Sequence, residues 1–228
     1  WCSMQSKINF DDSIQEVTYL NKVALEDVDH DKIYFKVIIL LLCAKLERYV
    51  KDSAKEYIDT LLELNLTRDT LPEKFVLQIL KNELQKIDDV TLEKYYSNDK
   101  YRARSSVLSL IWDPKFVLKN IAKEEFAISI SNNGTTAFED IYSKIGFPNV
   151  IKEIKDYVQN DDVTTISISV KDQINRIIRI RHEIIHDDAT PNLSSKDIEL
   201  FIEVSKCFVE QIDDVLSYNL TEIKSSQT

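Results

Sequence analysis

Apolar residues recur at helical spacing along most of this chain. Between Asp11 and Val28, Ile14, Val17, Leu20 and Leu25 fall roughly every three or four positions, which predicts a helix. Lys32 to Leu64 reads as one very long helix, apolar nearly all round in its first half. Its second half turns amphipathic, with Leu46, Tyr49, Val50, Tyr57, Ile58, Leu61 and Leu62 as the apolar set. A helix of that kind belongs in the centre of a domain. Thr70 followed by Pro72 opens the next helix, which runs through Phe75, Ile79, Leu80 and Leu84 to about Ile87.

The pattern then breaks. Asp89 to Arg104 is polar and tyrosine-rich and reads as a loop with a short turn. Asp113-Pro114 starts a short helix ending near Lys123. Phe126 to Ile130 and Val163 to Val170 alternate with period two, so the two are candidates for a small two-stranded element; extensions of the neighbouring helices are the other reading. Ser131-Asn132-Asn133-Gly134 turns the chain, and Thr136 to Ile145 forms a short helix closed by Gly146. Two strong helices finish the chain. Ser169 and Asp172 cap the first, which runs to about His186. Ser194 and Asp197 cap the last, apolar at Ile198, Phe201, Ile202, Phe208, Ile212 and Leu216, with the final eight residues frayed.

Composition supports this reading. The chain has 228 residues, 43% hydrophobic and 30% charged, enough for a sizeable core. Two glycines and four prolines suit long helices joined by few turns, and they exclude P-loops and Gly-rich dinucleotide loops. The expected architecture is all-α: one helical domain over residues 1–228 with a long central helix, irregular insertions over about 89–168, and at most a minor two-stranded β element. Met4 reads as a natural start, with residues 1–3 an appended remnant. Three separated cysteines make no disulfide framework and no CxxC pair, pointing to a reducing, cytoplasmic setting. The longest apolar run, Val37 to Ala44, is too short to span a bilayer, so no membrane partner is expected. A net charge of −10 disfavours broad nucleic-acid binding but leaves room for a local basic cleft.

The informative segment is Arg179-Ile-Arg-His-Glu-Ile-Ile-His-Asp187, which holds two of the three histidines. On a helical wheel, at about 100° per residue, Ile174, Ile177, Ile178, Ile184 and Ile185 form one stripe with Arg181 near its middle. Asn175, Arg179, His182 and His186 line an adjacent polar face. An arginine in an apolar stripe needs a carboxylate, a phosphate or an interface; snorkelling or pairing with a neighbouring helix also satisfies it.

Arg181-x4-His186, on the penultimate long helix of an all-α chain, resembles the signature of HEPN ribonucleases, with His182 in the polar slot after the arginine. Leu42-Cys-Ala-Lys-Leu-Glu47-Arg-Tyr-Val50 resembles the first helix of the RiboL-PSP-HEPN group, and so do the closing Ser-Ser-Lys-Asp segment and final helix. The resemblance covers most of residues 10–218. Where many members continue Ala-His-Gly, this chain has Ile185-His186-Asp187, which leaves the helix ending open. The resemblance implies an endoribonuclease that needs no metal or other cofactor. Its catalytic residues would be Arg181, His186 and His182, its substrate RNA, and its assembly a homodimer with a composite site. It further implies a toxin or phage-defence role, and it allows an antitoxin or other regulatory protein as partner. HEPN domains also serve as non-catalytic RNA-binding or docking modules, the alternative within the family.

A second motif overlaps the first. His182-Glu183-Ile-Ile-His186 is HExxH, the helix of zinc peptidases with two ligands and a glutamate base. A catalytic zinc needs a third protein ligand. The extended HExxHxxGxxH form fails, because Ala189 and Asn192 hold the Gly and last His positions. Glu199, Glu203 and Glu210 are the remaining candidates.

Five of the seven arginines fall in two short stretches, Arg102 with Arg104, and Arg176 with Arg179 and Arg181. Arginine forks bind phosphate bidentately. Arg102, Arg104, Asn175, Arg176 and Arg179 are therefore the expected RNA contacts. The tyrosines of Lys94 to Arg104 suit base stacking or, alternatively, cap the core from a solvated loop.

Overall fold

The computed structural model describes residues 3–87, 107–117, 134–160 and 165–225. Six α-helices stand among them: α1 (Gln5–Glu26), α2 (Asp31–Glu63), α3 (Glu73–Ile87), α4 (Thr135–Lys144), α5 (Val170–Asp187) and α6 (Ser195–Ser225). A two-stranded antiparallel sheet, β1 (Tyr157–Asn160) and β2 (Thr165–Ile168), completes the elements. The all-α expectation with a minor β element holds.

The 33-residue α2 lies at the centre, touching α1, α4, α5 and α6. It buries Phe35, Ile38, Ile39, Leu42, Leu46, Tyr49, Val50, Tyr57, Ile58 and Leu61. Three of its buried polar groups bind neighbouring helices. The Tyr49 hydroxyl donates to Val209 O at 3.0 Å, the Tyr57 hydroxyl donates to Asn219 Oδ1 at 2.7 Å, and Ser53 Oγ meets the Tyr142 hydroxyl at 2.9 Å. Polar atoms inside a helical core require such partners.

α1 starts at Gln5, earlier than its apolar spacing suggested, because distant carboxylates cap it. Met4 offers no capping side chain. Glu56 of α2 accepts from Gln5 N and Ser6 N at 2.7 and 2.8 Å, and Asp213 of α6 accepts from Met4 N at 3.1 Å. The three otherwise orphaned N–H groups are thus satisfied by tertiary contacts. The serine caps, in contrast, follow the sequence. Ser169 Oγ accepts from Asp172 N at 3.2 Å, and Ser194 and Asp197 bond reciprocally. α6 continues to Ser225, beyond the point where fraying was expected.

The small sheet differs from its expectation in one partner. Thr165–Ile168 is a strand, but it pairs with Tyr157–Asn160, in the register Tyr157↔Ile168 and Asn160↔Thr165. Phe126 to Ile130 lies outside the described residues. A hairpin closes a far shorter loop than a pairing with Phe126–Ile130 would. Gln211 clamps the hairpin's base to α6, accepting from Lys155 N at 2.7 Å and donating to Lys155 O at 3.0 Å. Of the short helix expected from Asp113 to near Lys123, residues 113–117 form a turn after the 3₁₀ segment Val107–Ile111, with Val117 bridging Thr67, and residues 118–123 lie outside the described residues.

Candidate functional site

α5 carries Arg181, His182 and His186, the residues expected to be catalytic, and its buried face is rotated from the one read off the wheel. Val170, Ile174, Ile177, Ile180 and Ile184 are buried, Ile178 is half-buried, and Ile185 is exposed. The reason is tertiary: α5 packs against both α2 and α6, so the buried arc turns towards Ile180. Arg181 consequently sits at the edge of the core, half-buried, not at its centre.

α5 runs antiparallel to α2. Lys36 Nζ donates to Asp188 O at 3.3 Å and Asp188 Oδ1 at 3.1 Å, and Cys43 Sγ donates to Ile177 O at 3.8 Å. Arg181, one turn beyond Ile177, leaves the helix on the side facing α2. Its charge and that of Glu47 both reach the Cys43 thiol. Burial pushes that thiol up to about 12, with the arginine opposing and the glutamate reinforcing the shift. Cys43 is therefore an inert core thiol.

His182 and His186 stand exposed on the solvent side, their rings 4.2 Å apart and tilted by 44°. On a helix, positions 181 and 186 point roughly 140° apart. Arg181 faces the groove beside α2, while His186 faces outwards. Helical geometry places three exposed apolar residues on the groove side. Ile185 of α5 is 49% exposed, and Ile33 and Val37 of α2 are 60% and 40% exposed. In antiparallel neighbours these stripes open to the same side of the pair, with Arg181 between them.

The expected RNA contacts fall into three groups. Arg179 is exposed and pairs loosely with Glu183 at 3.8 Å. Arg176 and Asn175 are engaged in the fold. Arg176 pairs with Asp197 of α6 at 3.0 Å and lies over the Phe201 ring, 5.0 Å from its centre. Asn175 Oδ1 accepts from the N–H and hydroxyl of Thr135, at the start of α4. Arg102 and Arg104 lie outside the described residues.

The HExxH residues share one exposed turn, with Glu183 beside Arg179. Among the described residues, no three His, Cys, Asp or Glu side chains gather as a metal site. Glu199, Glu203 and Glu210 are not gathered with His182 and His186 into such a group. No described helix is long and apolar enough to cross a membrane.

The helix ending left open by the sequence is now defined. α5 continues through Asp187, and Asp188 adopts the left-handed conformation, φ 47° and ψ 32°. Its N–H and that of Ala189 both donate to Glu183 O. Lys36, which anchors this residue, is the site neighbour that sequence reasoning missed. Its only signal was a cation bordering the apolar run Val37 to Ala44.

With this geometry in hand, the family model for RiboL-PSP-HEPN domains matches residues 8–218. No curated protein and no solved structure matches the chain.

Proposed function

The chain belongs to the RiboL-PSP-HEPN family, and on that premise we propose that it is a metal-independent endoribonuclease acting through Arg181 and His186. HEPN domains are generally associated with ribonuclease activity. The observation that carries the reading is the position of both residues on α5, within the matched span, with the imidazole open to solvent.

In this reaction the RNA 2′-hydroxyl attacks the adjacent phosphorus. The new P–O2′ bond replaces the P–O5′ bond, leaving a 2′,3′-cyclic phosphate and a 5′-hydroxyl. One imidazole takes the 2′-hydroxyl proton and another delivers a proton to the departing O5′, which imidazoles do well near neutral pH. The Arg181 guanidinium stabilises charge gathering on the phosphate oxygens. His182, its ring 4.2 Å from that of His186, orients the phosphate or shares the proton transfer.

One copy leaves Arg181 and His186 on different sides of α5. A second copy, packed on the apolar flanks Ile33, Val37 and Ile185, completes a composite cleft and doubles the positive charge there. The same packing gives a half-buried arginine an interface to serve. A toxin or phage-defence role in the cytoplasm, restrained by an antitoxin or regulatory protein, is the setting we infer from family behaviour.

The test is incubation with mixed RNA in excess chelator, followed by end-group analysis. Fragments ending in a 2′,3′-cyclic phosphate, abolished by Arg181→Ala and by His186→Ala in folded protein, are expected. Binding without cleavage would make this a docking module. Activity lost to chelator and restored by zinc would revive the HExxH reading.

A further inference from the structure

We infer that Lys36 is a positioning residue for His186. It reaches from α2 to lock the last turn of α5. The inference rests on the ribonuclease reading for its catalytic consequence and on geometry for its structural one.

The end of α5 is held in an unusual way. Final helix carbonyls have no partner within the helix, and the last turn frays unless something closes it. Glycine does this cheaply, because it enters the left-handed region without strain. Here Asp188 occupies that conformation, which L side chains other than Asn and Asp rarely adopt. Its side chain is almost fully exposed, so burial does not hold it.

What reaches it is Lys36. The lysine side chain is only 24% exposed, so most of its stem is covered by the protein. Its ammonium takes both the carbonyl and the carboxylate of Asp188. A cation at a helix C-terminus also complements the helix dipole. The contact spans 152 positions of sequence and ties the end of α5 to the rigid central helix. His186 lies two residues before the tied position, within the same turn. The lock therefore fixes the backbone from which the imidazole projects, and proton transfer is sensitive to displacements of that kind.

The experiment compares wild-type protein with Lys36→Met, Lys36→Arg, Asp188→Ala and the double variant Lys36→Met/Asp188→Ala. Amide hydrogen exchange at Asp187, Asp188 and Ala189 is read alongside RNA cleavage. Lys36→Met is expected to speed exchange at those amides roughly threefold to fivefold, the size of a modest ion pair, with the rest of α5 unchanged. It is expected to lower kcat by about the same factor while leaving KM near wild type. Lys36→Arg restores both, and because the two single variants lose the same carboxylate bond, the double variant loses less than the sum of the two. Unchanged exchange in Lys36→Met overturns the inference whatever cleavage does. A raised KM with unchanged kcat makes Lys36 a direct phosphate contact and overturns it too. If wild-type protein cleaves no RNA, the ribonuclease reading fails, while exchange still decides whether the lock exists.

Discussion

Asn175 Oδ1 accepts two hydrogen bonds from Thr135, from its backbone N–H at 3.0 Å and its hydroxyl at 3.1 Å. Gly134, the residue at the N-cap of α4, has no side chain to cap the helix, and Asn175 does so from α5. The space it uses is the space a side chain would need: a Cβ on Gly134 would stand 2.6 Å from Asn175 Oδ1. Gly134 also has φ 63° and ψ −145°, a region open almost only to glycine. Gly134→Ala should therefore destabilise by about 2–3 kcal/mol in chemical denaturation. Asn175→Ala should cost about 1 kcal/mol, as loss of a helix cap does. Asn175→Asp keeps the acceptor and should keep the stability. If that variant nonetheless loses RNA affinity, Asn175 reads RNA through its amide as well.

Arg176 and Arg179, three residues apart, should separate cleanly. Arg176→Ala removes the ion pair with Asp197 and the packing on Phe201, and should cost about 1–2 kcal/mol of stability. Arg179→Ala loses a loose surface pair and should change stability by less than about 0.5 kcal/mol. If Arg179 contacts RNA phosphate, its loss should reduce the slope of log affinity against log salt by about one.

The acid response of the Arg176–Asp197 link follows from the carboxylate. Burial pushes Asp197 up, but hydrogen bonds from Ser194 and the Arg176 charge outweigh it and hold the group below its ordinary value of 3.8. A depressed carboxylate contributes stability above its ordinary range and loses it as pH falls through the folded value. Asp197→Asn should thus be less stable than wild type at pH 7, with the gap closing below about pH 4.

Asp213 works the other way. On α6 it is buried against the start of α1, and burial lifts its carboxyl above 3.8 despite the Met4 N–H and the charge of Lys7; Asp214 and Glu56 nearby add to the rise. A raised carboxyl favours the fold when protonated and loses that contribution as pH rises through the folded value. Asp213→Asn keeps an oxygen for Met4 N and removes the buried charge. Its melting temperature should exceed wild type at pH 7, and the difference should shrink as pH falls through the raised folded value and be gone below the ordinary 3.8. A lower melting temperature at pH 7 would show that the Lys7 interaction dominates.

Val37→Glu and Ile185→Glu should each break self-association without unfolding the chain, because both side chains are already open to water in one copy. Sedimentation of wild type as a dimer and of both variants as monomers, with cleavage lost in parallel, is the expected result. Monomeric wild-type protein that still cleaves would remove the composite cleft.

Much of the fold was legible because α2, α5 and α6 are long and strongly periodic, and because Ser169 and Ser194 cap through residues three positions away. Such interactions are local and leave a local trace. The hairpin was half legible: the alternation at Thr165–Ile168 was visible, while Tyr157–Asn160 carries no comparable pattern. The rotation of α5 was not legible, since a wheel has one axis and α5 has two large neighbours.

The sequence alone determined that the chain is helical, where its main helices run, and that Arg181, His182 and His186 share one helix. Those properties follow from short-range spacing and capping chemistry. Only the tertiary structure decided that Arg176 and Asn175 tie helices together while Arg179 stays free of the core, and that Lys36 meets Asp188 across the chain. Such pairings depend on which surfaces come together when helices pack, and residues 152 positions apart leave no periodic mark of their meeting.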